Sequence, residues 1–161
     1  MLEPQWLAVA RSYLGTREIP GKDSAPEIVK MLATLKAWWS DDSTPWCGVF
    51  AAYCFKVSLM EYPKEYYRAL KWKEFGIALD RPTYGCIVVF NREGGGHVGF
   101  VVGQDDRGRL MVLGGNQGDK VSIAPFDRSR VAAYRYPNCD FEIDYALPLL
   151  KTTAQSSTRE A

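Results

Sequence analysis

Cys47 and His97 are the two side chains whose chemistry could be joined into a reaction. The chain has 161 residues, with four cysteines and a single histidine. In the run Ser43-Thr44-Pro45-Trp46-Cys47-Gly48-Val49-Phe50 a helix is expected to start, with Thr44 as N-cap and Pro45 in the first helical position. Cys47 then lies in the first turn. There, unpaired backbone N–H groups and the positive end of the helix dipole favour a thiolate. His97 opens an apolar strand downstream and is the one imidazole available as a base. A thiolate attacking a carbonyl, with an imidazole to move the proton, is the chemistry of nucleophilic acyl transfer.

The elements that must bring these groups together follow from periodicity. Trp6, Leu7, Ala10, Tyr13 and Leu14 keep helical spacing, and Gly15 ends that helix. Ser24-Ala25-Pro26-Glu27 has the pattern of a capping box and opens a second helix through Ile28, Leu32 and Leu35. A third helix is expected from about Pro45 to Ser58, with Cys47, Phe50 or Ala51, Cys54 and Ser58 on one inward face, and a fourth over Lys64 to Phe75. Strands follow: Cys86–Phe90, Val98–Val102 after a mobile glycine loop at Gly94-Gly95-Gly96, Arg109–Leu113, and weaker segments at Val121–Ile123 and Val131–Arg135. Helices first and strands second predict an α+β fold with an antiparallel sheet. One domain is expected over 1–150 and a disordered polar tail over 151–161.

A hairpin joins His97 to a third group. Gln104-Asp105-Asp106-Arg107-Gly108 is a turn signal. With the turn centred between Asp106 and Arg107, Val101 faces Val112, Gly99 faces Gly114 and His97 faces Asn116. Opposed residues share a face of the sheet, so the amide of Asn116 could accept the second ring N–H and fix the tautomer. Two facing glycines would leave a shallow patch for helix three. Asp119 is the reserve third member if the register differs.

Net charge is +1, so nothing points to nucleic acid. No apolar run is long enough to span a membrane, so no membrane insertion is expected, and no signal peptide is read at the N-terminus. The protein is thus expected to be made in the cytoplasm. There is no C-x-x-C pair, and one histidine cannot complete the usual zinc set, so no metal or cofactor is expected. Cys54 and Cys86 read as buried small hydrophobes.

Pro45-Trp46-Cys47, Gly85–Phe90, Gly96–Val101 and Leu113–Gln117 resemble the papain-like cysteine peptidases of the NlpC/P60 and CHAP group, over a span of about Pro4 to Pro137. The resemblance implies a papain-like fold and a peptidoglycan hydrolase, either a stem-peptide endopeptidase or an N-acetylmuramoyl-L-alanine amidase. On that pattern Cys47 is the nucleophile, His97 the base and Asn116 the third member. Trp46 is a candidate cleft residue, though tryptophan in a helix is more often core. Asp42 could grip the amino group of a stem-peptide diamino acid, and Gln117 is a third candidate substrate contact. Two departures stand out: Cys86 occupies a place where relatives carry an acid, and Gly114 stands where CHAP enzymes often have a glutamate. A phage lysin and an injected antibacterial effector with a cognate immunity protein both fit. In either case the protein acts in the periplasm or wall after export, injection or lysis. The rival classes are a thiol acyltransferase of the same fold and a catalytically silent wall-binding module.

Overall fold

The computed structural model describes residues 2–19, 24–39, 45–152, 156 and 157. Three helices, α1 (Gln5–Ser12), α2 (Pro26–Thr34) and α3 (Cys47–Val57), precede the sheet. Its six strands are β1 (Ile77–Leu79), β2 (Ile87–Arg92), β3 (Gly95–Gln104), β4 (Leu110–Gly114), β5 (Ser122–Phe126) and β6 (Val131–Tyr136). All neighbours are antiparallel, in the order β1-β6-β2-β3-β4-β5. The α+β class and the antiparallel sheet expected from the order of helical and strand-like segments are what the chain forms.

Helix α3 is the centre of the molecule. Every residue from Cys47 to Phe55 is buried, because α1 and α2 cover one side while β3, β4 and the 3-10 turn Ala69–Glu74 cover the other. A helix apolar around its whole circumference belongs inside; the expectation of one inward face understated this. α1 is tied to the sheet by Trp6, whose Nε1 donates to Gly85 O at 2.8 Å and whose ring meets Phe55 and Tyr136 edge-on or tilted. No helix among the described residues is long and apolar enough to cross a membrane.

Several local expectations are corrected. Ala25, not Ser24, caps α2, and no side chain closes the cap. The fourth helix is only the 3-10 turn Ala69–Glu74, which ends where Gly76 takes a positive φ of 56°. β1 had no alternating pattern to announce it; its three residues are held by pairing with β6. The glycine loop before His97 is mostly strand: Gly95 and Gly96 pair with Arg92 and Asn91, and Glu93-Gly94 is the tight turn between them. Of the tail, Ser157 N donates to Pro125 O (2.7 Å) and Ser156 accepts from Arg109 Nη1 (3.2 Å), so these two residues are bonded to the body.

The hairpin register holds in its upper part and slips below. Phe100 faces Leu113 and Val101 faces Val112 as expected, but Gly103 then faces Met111 across a bulge. The turn, Asp105–Arg109, is one residue longer than the four-residue loop expected. Its length is set by Asp105, whose fully buried carboxylate accepts from Arg107 N, Arg109 N and Arg109 Nε at 2.7–3.0 Å.

Close packing of α3 makes a prediction. A Cβ at Gly48 would overlap the backbone carbonyl of Tyr66, which also accepts from Trp72 Nε1. Alanine is the better helix former by about 1 kcal/mol, but a clash with fixed backbone outweighs that. Gly48→Ala is expected to lose about 2 kcal/mol net, read from the denaturant midpoint. Gly108→Ala, where a Cβ has open space and only a positive φ of 79° opposes it, should lose about 1 kcal/mol.

Candidate active site

α3 begins at Cys47, with Trp46 as its N-cap residue and no side chain closing the cap. The expected N-cap, Thr44, lies outside the described residues, as does Asp42. Pro45 precedes the helix. The helix start is pressed against the sheet at Gly115, where a Cβ would lie 2.7 Å from Phe50 Cβ and 2.9 Å from the Trp46 ring. Close approach therefore uses Gly115, and not the expected pair Gly99 and Gly114.

β3 outlasts its neighbour. Its pairing with β4 starts at Phe100, so along Gly95–Gly99 β4 supplies no partner on that edge. The thiol of Cys47 takes the place. The His97 ring and the backbone N–H groups of Val98 and Gly48 lie close enough to the sulfur to act on its ionisation. Burial pushes the thiol up; the charge and hydrogen bond of His97 and the two backbone donors pull it further down, so it lies below its ordinary value. Two other thiols show how strong that pull is. Cys86 and Cys54 are equally enclosed without an imidazole, and burial drives Cys86 up to about 12 and Cys54 well above its ordinary range.

His97 is wholly buried. Its ring lies flat on Phe126 (centroids 5.4 Å apart, planes at 8°) and close to parallel with Phe90 at 6.3 Å. Nε2 is 3.0 Å from Gln117 Oε1. The direction of that bond follows from the other end of the amide. Gln117 Nε2 faces two carbonyl oxygens, Val112 O at 3.1 Å and Ser122 O at 2.9 Å, so it must be the NH2. Oε1 is then the oxygen, His97 Nε2 carries the proton, and Nδ1 is the ring nitrogen left for the thiol.

This arrangement corrects three expectations. The ring's Nε2 meets Gln117, expected as a substrate contact, and Asn116 Oδ1, expected to hold the ring, makes no hydrogen bond among the described residues. Asn116 instead occupies the left-handed turn (φ 60°) after β4, buried, with Oδ1 unpartnered among the described residues. Asp119, the reserve, is exposed, and its carbonyl accepts from Glu18 N. Trp46 is 1% exposed and donates Nε1 to Glu18 at 3.1 Å, so it is packing and not a cleft wall. One contributor went unnoticed in the sequence: Phe126 gave no signal beyond its apolar character. Gln117 was named, but for another role, and its place follows from Gly114: a Cβ there would overlap Gln117 Oε1 and lie 3.5 Å from His97 Nε2. The space of an acidic side chain at 114 is filled by the amide from 117.

Beside the thiol opens a groove of about 530 Å³, walled by the segment Tyr67–Glu74 on one side and by Arg92, Gly95 and Gly96 on the other. Among the described residues no cluster of histidine, cysteine or carboxylate side chains could hold a metal ion.

The amide predicts its own failure. Gln117→Glu keeps the shape but turns the donor end into an acceptor aimed at two carbonyls. A carboxyl so placed has its folded-state pKa raised, so its penalty is largest above that pKa and fades as pH falls and the group takes up a proton. The expected loss is about 2 kcal/mol at pH 7, and less near pH 5, by denaturant unfolding against wild type at each pH.

No curated protein matches the chain. Residues 39–116, which carry the helix start, the groove strands and the turn through Asn116, match the model of the CHAP domain family, a family of papain-like cysteine peptidases and amidases whose general function is peptidoglycan hydrolysis. Gln117 lies one residue past the matched stretch. With α3 set against its six-stranded antiparallel sheet, the chain's α+β architecture is consistent with a CHAP papain-like fold.

Proposed function

We propose that this protein hydrolyses an amide bond of peptidoglycan, as a stem-peptide endopeptidase or an N-acetylmuramoyl-L-alanine amidase. In this reading Cys47 is the nucleophile, His97 the general base and acid, and Gln117 the residue that positions the ring. What supports it is a thiol at the start of α3, opening on the groove, set beside an imidazole whose far nitrogen is held by a fixed amide oxygen.

The steps follow from those groups. His97 Nδ1 takes the thiol proton as sulfur attacks the scissile carbonyl carbon. The oxyanion of the tetrahedral intermediate is met by backbone N–H groups at the start of α3, which no side chain caps. The C–N bond breaks, the imidazolium gives its proton to the leaving amine, and a thioester remains on Cys47. Water then attacks the thioester with His97 as base, releasing a carboxylate and restoring the thiol. The reaction would take place in the periplasm or wall, reached by a phage lysin after lysis or by an injected effector. The effector setting calls for an immunity protein that covers the groove.

Soluble muropeptides of defined structure are the test. The purified protein is expected to yield fragment pairs whose masses sum to the substrate plus one water. Cys47→Ala and His97→Ala should each lower the rate by at least about a thousandfold while keeping the wild-type circular dichroism spectrum. Undiminished cleavage by Cys47→Ala, or transfer of the acyl group to an amine in place of water, would overturn hydrolysis by this thiol.

The lowered thiol gives a pH signature. Alkylation by iodoacetamide follows the thiolate, so in a background where Cys139 is Ser the rate should rise through a midpoint below 9.0. In His97→Ala, with burial left opposed only by the backbone donors, the midpoint should move to higher pH.

A further inference from the structure

Charge is distributed unevenly around the thiol. Over the whole sequence 20 basic residues nearly balance 19 acidic ones. The groove that holds Cys47 is different: among the described residues Arg68, Lys71, Lys73 and Arg92 line it against a single carboxylate, Glu74. Some of this charge is locally compensated. Lys71 lies 3.4 Å from Glu65 and 3.7 Å from Glu74, and Arg68 lies 3.7 Å from Glu65. Among the described residues, even with Glu65 included, four cations face two carboxylates. Lys73 is exposed and makes no ion pair among the described residues. Arg92 is half-buried and donates Nε to Gly96 O at 3.2 Å, which anchors its guanidinium to the strand wall.

An excess of one sign within a concave site raises the local concentration of ligands of the opposite sign and penalises ligands of the same sign. Stem peptides differ in just this property. Their side carboxylates are free in some walls and amidated in others, with almost no change of shape. We infer that the groove beside Cys47 selects stem peptides with free side carboxylates over their amidated counterparts, through Arg68, Lys73 and Arg92. This rests on the peptidoglycan reading and narrows it to one chemical form of the substrate. Lys71, already shared between two carboxylates, contributes least. Glu74 acts against a carboxylate and sets an upper limit on the preference.

The test uses two synthetic stem peptides identical except for a free carboxylate or a carboxamide, titrated calorimetrically into the Cys47→Ala protein, which binds without turnover. The free acid is expected to bind about tenfold tighter in low salt, with the advantage falling severalfold at 0.5 M NaCl. Lys73→Glu, at an exposed side chain without an ion pair, should cut the preference at least about threefold, and Arg68→Glu with Lys73→Glu should abolish it. Equal binding of the two peptides, tighter binding of the amide, a preference that survives the double reversal, or no binding of either would overturn the inference. Failure of the peptidoglycan reading shows differently. Wild-type protein that cleaves both peptides at one rate refutes the selectivity alone. Protein that binds the acid selectively and cleaves neither peptide refutes the hydrolase alone.

Discussion

The orientation of one side-chain amide controls the chemistry available to this molecule. Gln117 spends its NH2 on two backbone carbonyls, Val112 O and Ser122 O, and so has only an oxygen to offer His97. That choice fixes which ring nitrogen carries the proton, and with it which nitrogen can take one from sulfur. A neutral amide achieves this without placing a negative charge in a site closed to water, where an unbalanced carboxylate would be costly. The price is rigidity of chain geometry: β4, the turn and the start of β5 must all hold their places for the amide to be aimed.

The same economy governs the thiol. Cys47, Cys54 and Cys86 are all enclosed, and burial alone makes a thiol inert. What distinguishes Cys47 is position: first residue of a buried helix, against a half-open strand edge, next to an imidazole stacked on Phe126. None of these features is reactive by itself. Their sum shifts one sulfur in the direction opposite to the other two.

Fold class was legible because the signals were clear: the helical spacing from Trp6 to Leu14, and the run around Val88, apolar on both faces as in a central strand. The pair Cys47 and His97 stood out because the chain has one histidine, and it opens an apolar strand. The third group was not, for a definite reason. A register read from a turn places opposed residues correctly only as far as the ladder runs, and here β4 pairs with β3 no further than Phe100 and Leu113. Past that point the chain turns at Asn116, whose positive φ removes it from the strand face, and a longer side chain folds back over Gly114. The short β1 and the 3-10 turn in place of a helix are cases where tertiary partners, not local pattern, decide the outcome.

The premature stop of β4 has one more implication. In a completed ladder the N–H of Val98 would be paired to a neighbouring strand. Here it lies close enough to the Cys47 sulfur to lower its pKa. The thiolate form of Cys47 is thus favoured at an unpaired stretch of strand edge, where a backbone N–H that a longer ladder would use faces sulfur instead. A chain in which that strand ran two residues longer would be a better sheet, and its thiol would have nowhere to sit.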